Sequence, residues 1–160
     1  MSNSFKVVII GGDQTGKTSL VRRILHKQVN PNEAATVSVQ AQDCRVTIQA
    51  LSTDVNMELY DLPGQERYMV LNRMYLRDTN AAVIVYDCTR SESMRHAEAW
   101  MEELKETAPE QCIVALAGNK MEVGSKQVNM AEGQAFARKH DIKIVSEVSA
   151  MSGENVVSLF

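Results

Sequence analysis

Residues 11–18 read Gly-Gly-Asp-Gln-Thr-Gly-Lys-Thr, an instance of the pattern G-x-x-x-x-G-K-[ST]. They lie between an apolar, β-branched run, Phe5 to Ile10, and a stretch from Thr18 to Lys27 that carries Leu20, Val21, Ile24 and Leu25 at helical spacing. Strand, tight loop, helix is the one context in which this pattern has a mechanism. Its glycines let backbone N–H groups turn inward around phosphate oxygens, and the helix N-terminus adds partial positive charge. Lys17 is placed to reach terminal phosphates, and Thr18 offers a hydroxyl to magnesium.

The rest of the chain is patterned to support such a loop. Cys44 to Leu51 alternates Val46 and Ile48 with polar residues, which predicts a half-buried strand. A turn over Ser52 to Asn56 and a second, antiparallel strand over Met57 to Asp61 follow. Ala81 to Tyr86 and Cys112 to Ala117 are near-continuous apolar runs of the fully buried kind. Helices are predicted over Glu92 to Thr107, ended by Pro109, and over Asn129 to His140. A last strand is predicted over Ile142 to Val148, then a final helix capped by Ser152 and starting near Gly153. Asn30 to Ala35, with Pro31 and no periodicity, is predicted to be an exposed loop. Strands alternating with helices, with one hairpin, define an α/β domain whose mostly parallel sheet collects the strand C-terminal loops on one edge.

Composition removes other classes. With 160 residues, 44% of them apolar, the chain is expected to form one domain over 1–160 with a sizeable core. Seventeen basic against twenty acidic residues give a net charge of -3, so bulk attraction to nucleic acid is excluded. Cys44, Cys88 and Cys112 are odd in number and far apart, which points to reduced thiols in a soluble, cytoplasmic protein. Ser2 offers no myristoylation site, and no cysteine stands near Phe160, so no lipid-anchor signal is read. His26, His96 and His140 have no ligand spacing and are assigned surface or packing roles. Trp100 and Met101 are assigned to a helix–sheet contact, and Asp87 to a strand-end cap.

Asp61 closes a predicted strand, where its carboxylate can hold magnesium through water beside Thr18, and Gly64 and Gln65 follow it in Asp61-Leu62-Pro63-Gly64-Gln65-Glu66. With these motifs together, the chain resembles the Rab branch of the Ras superfamily of small GTPases. Tyr60-Asp61-Leu62-Pro63-Gly64-Gln65-Glu66-Arg67-Tyr68 is similar to the Rab segment W-D-T-A-G-Q-E-R-F/Y. Met74-Tyr75-Leu76-Arg77 and Val83 to Thr89 are similar to Y-Y-R and I-V-V-Y-D-I-T. Asn119-Lys120 matches the first half of N-K-x-D, and Ser149-Ala150 matches the S-A-K motif.

The resemblance implies the three-layer α/β sandwich of P-loop NTPases, with a six-stranded, mostly parallel sheet, one antiparallel strand and helices on both faces. It implies GTP or GDP with magnesium as ligands, held by Gly12, Asp13, Gln14, Thr15, Gly16, Lys17, Thr18 and Ser19 around the phosphates. Asn119, Lys120, Glu122, Ser149, Ala150 and Met151 would surround the guanine, the Ala150 N–H reading its carbonyl. Thr18, Asp61 and Thr36, the last 19 positions after Lys17, would be the magnesium ligands. Gly64 would donate its N–H to the γ-phosphate; of the two catalytic residues, Gln65 would orient the attacking water and Lys17 would hold the terminal phosphates. Losing the γ-phosphate would release both switch loops and change which effectors, exchange factors and activating proteins bind. A monomer is expected, reaching membranes only through a lipidated tail that this chain does not carry, its last helix being short relative to the family's.

Departures from the family cluster in two places. Glu122 stands where the guanine motif has aspartate, Val29 where the family has a base-packing aromatic, and Met151 where it has lysine. These imply ordinary phosphate binding with a weaker hold on guanine. Asp13 and Gln14 add bulk beside the γ-phosphate, and Pro63 replaces alanine before Gly64, implying slow hydrolysis and a stiffer second switch. The alternative reading is an interaction module with impaired catalysis and relaxed guanine specificity.

Overall fold

The computed structural model describes residues 4–25, 39–65 and 68–160. Among these residues, six strands form one sheet: β1 (Ser4–Gly11), β2 (Gln40–Ile48), β3 (Thr53–Asp61), β4 (Ala81–Asp87), β5 (Ile113–Asn119) and β6 (Ile144–Glu147). Their spatial order is β2-β3-β1-β4-β5-β6, and every pairing is parallel except that of β2 with β3. Among the described residues, five α-helices surround it: α1 (Lys17–Ile24), α2 (Met69–Leu76), α3 (Glu92–Thr107), α4 (Met130–Lys139) and α5 (Val156–Leu159).

Successive residues of β1 face opposite ways, and all four of Val7 to Ile10 are buried. Val7 and Ile9 join Leu20, Val21 and Ile24 of α1 and Val156 and Leu159 of α5 in one core. Val8 and Ile10 join Trp100, Met101 and Leu104 of α3 and Phe136 and Ala137 of α4 in the other. A strand apolar on both faces requires helices on both faces, and the three layers follow from that. Trp100 and Met101 form the expected helix–sheet contact.

Three expectations need correction, and one helix was not expected. The hairpin is longer than its apolar alternation suggested: β2 runs from Gln40, Gln49–Leu51 form a 3-10 turn, Ser52 adopts a φ of 48°, and β3 starts at Thr53. Backbone pairing and polar cross-strand contacts extend it, among them Arg45 with Asp54 at 2.6 Å and the Thr47 hydroxyl with the same carboxylate at 2.7 Å. Helix α2 had no forecast because Leu71 and Met74, both exposed, interrupt the inward pattern of Met69, Tyr75 and Leu76. The last strand shortens to Ile144–Glu147: the Ile142 amide donates to the Ala137 carbonyl in the turn after α4, and the Val148 amide makes the last bond to β5, donating to the Gly118 carbonyl. Ser152 does not cap the last helix, which starts at Val156 after Asn155 at a φ of 62°. Residues 149–154 first close a turn of their own, in which the Ser149 hydroxyl accepts from the Ser152 amide at 3.0 Å. The predicted loop Asn30 to Ala35, the end of the first predicted helix at His26 and Lys27, and Val29 lie outside the described residues.

The register carries the chemistry to one edge. Ile9 pairs with Asp61, Gly11 with Val85, Asp87 with Asn119, and Gly118 with Glu147, so the C-terminal ends of β1, β3, β4, β5 and β6 lie side by side. After β1 the chain builds first to one side (β3) and then to the other (β4), and the crevice left at that switch point is where open α/β sheets bind ligands.

Candidate functional site

The loop after β1 is the floor of this crevice. Gly16, at a φ of 95°, leads into α1, and no side chain caps the helix start. An uncapped helix start is where an anion is best received, its charge met by the helix dipole. The Gly12 carbonyl accepts from the Thr15 hydroxyl at 3.0 Å and from Lys17 Nζ at 2.7 Å, which draws the loop tight around its own lysine. Burial pushes the Lys17 ammonium down to about 8, against the opposing pull of Asp61 and then Asp13. A phosphate would supply the negative charge this buried cation lacks. At the mouth, the Thr18 hydroxyl donates to the Asp61 carboxylate, so the two expected metal ligands are brought into direct contact. Ser19 is half-buried in the first turn of α1, and Gln14, at a φ of 60°, is exposed.

Helix α3 braces the loop from behind. The Trp100 indole N–H donates to the Gly11 carbonyl at 2.9 Å, and a Cβ on Gly12 would lie 2.3 Å from His96 Nδ1. His96 thus has the packing role expected of it, against the phosphate loop itself. The ring of His140 packs on Phe136 at 4.7 Å, also as expected, and His26 lies outside the described residues.

The guanine-side residues form a second, linked network. Asn119 is buried; its Nδ2 donates to the Thr15 carbonyl at 2.9 Å and its Oδ1 accepts from the Ala150 amide at 3.1 Å. One side chain thereby ties the phosphate loop to the Ser149-Ala150 turn. The Ala150 amide expected to read the guanine carbonyl is engaged by Asn119, so that reading requires the bond to be shared or released. Lys120, at a φ of 66°, donates to the Gln14 carbonyl at 3.1 Å and pairs with Asp87 at 2.8 Å. Asp87 acts as the expected strand-end cap, accepting from the Thr89 amide and hydroxyl at 2.8 and 2.6 Å. Glu122 is exposed on the turn after Lys120, and Met151 is exposed after Ala150. Arg23 of α1 holds that last turn, donating to the Ala150 carbonyl at 2.7 Å and to the Met151 carbonyl. Sequence reasoning missed Arg23, because a basic residue in the last turn of a helix reads as a partner for the helix dipole.

Pro63 and Gly64 are buried beside the loop, and a Cβ on Gly64 would lie 2.6 Å from Lys17 Nζ and 2.7 Å from the Asp13 amide nitrogen. Only glycine fits this approach. Gln65 follows, half-buried, its carbonyl accepting from the Tyr68 amide at 3.0 Å. Thr36, Glu66 and Arg67 lie outside the described residues.

Away from the crevice, Glu98, Glu102 and His140 bring ligand-type atoms within 4.8 Å of one another. Lys139 and Lys105 already supply the positive charge there, at 3.0 Å from Glu98 and 2.8 Å from His140 Nδ1. Burial, with Glu147 adding to it, pushes the Cys88 thiol up to about 12, and burial pushes Cys112 up to about 11. Neither is a nucleophile near neutral pH.

The geometry agrees with what the chain is similar to. The model of the Ras family matches residues 6–160. The chain is a member of the Ras family. Among its relatives, it is 36% identical to GTP-binding protein ypt5 of Schizosaccharomyces pombe over 157 residues, covering 97% of this chain and 74% of that protein. It is 35% identical to Ras-related protein RABA3 of Arabidopsis thaliana over 158 residues, covering 98% of this chain and 65% of that protein. Both resemblances place it among the Rab-like small GTPases.

For a Ras-family member, magnesium is implied, and the donor set fits it. Thr18 and Asp61 present a hydroxyl and a carboxylate in contact, hard oxygen ligands of the number a hydrated magnesium ion takes from protein. The close approach of Gly64 to Lys17 likewise fits a segment that senses what the lysine holds. Among the described residues, no helix is long and apolar enough to cross a membrane.

Proposed function

We propose that this chain is a Rab-like GTP-binding switch of vesicle trafficking that hydrolyses GTP slowly, as a single unit over 1–160. The observation that carries the reading is the convergence of the uncapped start of α1, the buried Lys17 ammonium and the Thr18–Asp61 contact on one crevice. All three oppose the charge of a bound triphosphate. The names of the relatives favour this switch over the interaction-module alternative.

In this reading the amides of residues 12–19 and Lys17 bind the phosphates, and Thr18, Asp61 and Thr36 hold magnesium. The ion neutralises charge on the β- and γ-phosphates when bound. Gly64 offers its amide to the γ-phosphate, and Gln65 orients a water in line with it, so that catalysis is positioning and charge stabilisation. Asn119, Lys120, Glu122, Ser149, Ala150 and Met151 form the guanine side. Effectors, an exchange factor and an activating protein would meet the two switch segments, and the protein would act as a monomer.

Titration with labelled GDP, GTP and ATP in the presence of magnesium tests the reading. Guanine nucleotides are expected to bind and ATP to bind far more weakly; no guanine nucleotide binding would sink it. Glu122→Asp shortens the carboxylate to the family's length and is expected to tighten GTP binding about tenfold, the size of one recovered charge-assisted hydrogen bond. An unchanged dissociation constant would remove Glu122 as the cause of weak guanine binding. Asp13→Ser is expected to raise the single-turnover hydrolysis rate several-fold. At about 6 Å, a carboxylate repels each unit of γ-phosphate charge by roughly 2 to 3 kcal/mol at an effective dielectric of about 20. A rate unchanged by the substitution would contradict that cause.

A further inference from the structure

The second switch carries a contact that none of the motifs accounts for. Asn72, in the middle of α2, is 1% exposed, and its Nδ2 donates to the carbonyl of Pro63 at 2.9 Å. A buried carboxamide is costly to leave unpaired, so this hydrogen bond is a firm restraint. It acts on a segment already fixed at two other points. The Leu62 amide donates to the Ile9 carbonyl at 3.2 Å, and the Pro63 ring fixes its own φ.

The Pro63 carbonyl and the Gly64 N–H belong to one planar peptide, and no cis peptide is present among the described residues. In a trans peptide the two groups point in opposite directions. Fixing the carbonyl onto Asn72 therefore fixes the Gly64 N–H to face away from it. Gly64 itself abuts the loop, its Cβ position lying 2.7 Å from the Asp13 amide nitrogen and 2.6 Å from Lys17 Nζ.

We infer that Asn72 is a positioning residue: by holding the Pro63 carbonyl it sets the direction of the Gly64 amide and so the preference for a nucleoside triphosphate over a diphosphate. The inference rests on the proposed function, since it assumes a γ-phosphate beside Gly64. Its role is selective, because a diphosphate has nothing for that amide to meet. Nothing in the local sequence points to it; asparagine inside a helix reads as a weak helix former.

The test compares binding of GDP and of a slowly hydrolysed GTP analogue, with magnesium, to the full chain and to Asn72→Asp and Asn72→Leu. Asn72→Asp keeps the side-chain volume, Asn72→Leu keeps only the γ-branched shape, and both remove the amide donor. The triphosphate-to-diphosphate affinity ratio is expected to fall about tenfold in both, the effect of one lost hydrogen bond, with GDP affinity within about twofold of the parent. An unchanged ratio with intact GDP binding overturns the role of Asn72 and leaves the proposed function standing. Failure of the parent chain to bind either nucleotide overturns both. Should the variants not fold, amide exchange in the parent decides: slow exchange of the Asn72 side-chain amide with the GTP analogue bound is expected, and fast exchange there overturns the inference.

Discussion

Gly16→Ala is expected to reduce nucleotide affinity on the order of 100-fold while leaving the chain folded. Two independent effects converge on the position. The backbone sits at a φ of 95°, where a side chain is strained, and strain of this kind costs about 1–3 kcal/mol. The new Cβ would also stand 2.2 Å from Asn119 Nδ2, so the asparagine must move. Asn119 cannot move without loosening its bonds to the Thr15 carbonyl and the Ala150 amide, which join the phosphate and guanine sides. Each buried hydrogen bond is worth about 1 kcal/mol net, and more when a partner is left unsatisfied. Titration with labelled GDP checks the loss, and circular dichroism checks the fold. Gly124→Ala is the control, since its Cβ would meet nothing within 4 Å. Wild-type affinity in Gly16→Ala would mean that the strap through Asn119 does not hold the two halves of the site together.

What the sequence made legible follows from the range of the interactions involved. Strands β1, β4 and β5 were readable because both their faces are buried, which writes an unbroken apolar run into the chain. The phosphate loop was readable because its geometry is local: a positive φ at Gly16, a helix start and Lys17 all fall within a few residues. Asp61 was readable as a strand end and Asn119 through the N-K-x-D resemblance, although the strand expected over Cys112 to Ala117 in fact runs over Ile113–Asn119. The supports of the site were not readable, because each acts on a distant backbone carbonyl. Trp100 reaches Gly11 across 89 positions, and Arg23 reaches Ala150 across 127. No periodicity or spacing encodes such a contact; only the sheet order, with α3 against β1 and β4, brings Trp100 to the loop. Helix α2 was hidden for the opposite reason. Its exposed Leu71 and Met74 carry apolar side chains where a helix normally shows a polar face, so the 3.6-residue signal vanishes although the helix is present.

Lys17→Met separates what the site does for function from what it does for stability, with opposite signs. Binding of guanine nucleotide is expected to weaken by at least about 100-fold, because a cation that meets phosphate directly is worth roughly 3 kcal/mol or more once partners are left unsatisfied. The nucleotide-free chain is expected to become more stable. Burial lowers the Lys17 pKa from 10.5 to about 8, so keeping the ammonium in the folded chain at pH 7 costs about 3 kcal/mol, an upper figure for what methionine recovers. Methionine has similar length, and Thr15 still donates to the Gly12 carbonyl after Lys17 Nζ is gone. The sign of the pH dependence is fixed by the same displacement. Between about pH 8 and 10.5 the unfolded chain keeps this proton and the folded chain loses it, so the parent gains stability as pH rises through that window. The variant has no such gain, and the stability difference between the two proteins should shrink from pH 8 upward. Thiols held up at Cys88 and Cys112 pull stability the other way above about pH 9, but both proteins share them and the difference cancels their effect. Urea unfolding of the two nucleotide-free proteins from pH 7 to 10 measures this directly. A variant less stable than its parent at pH 7, or a stability difference that stays constant with pH, would show that the Lys17 ammonium is not held against a desolvation penalty, and that the loop is not built around a charge awaiting its counterpart.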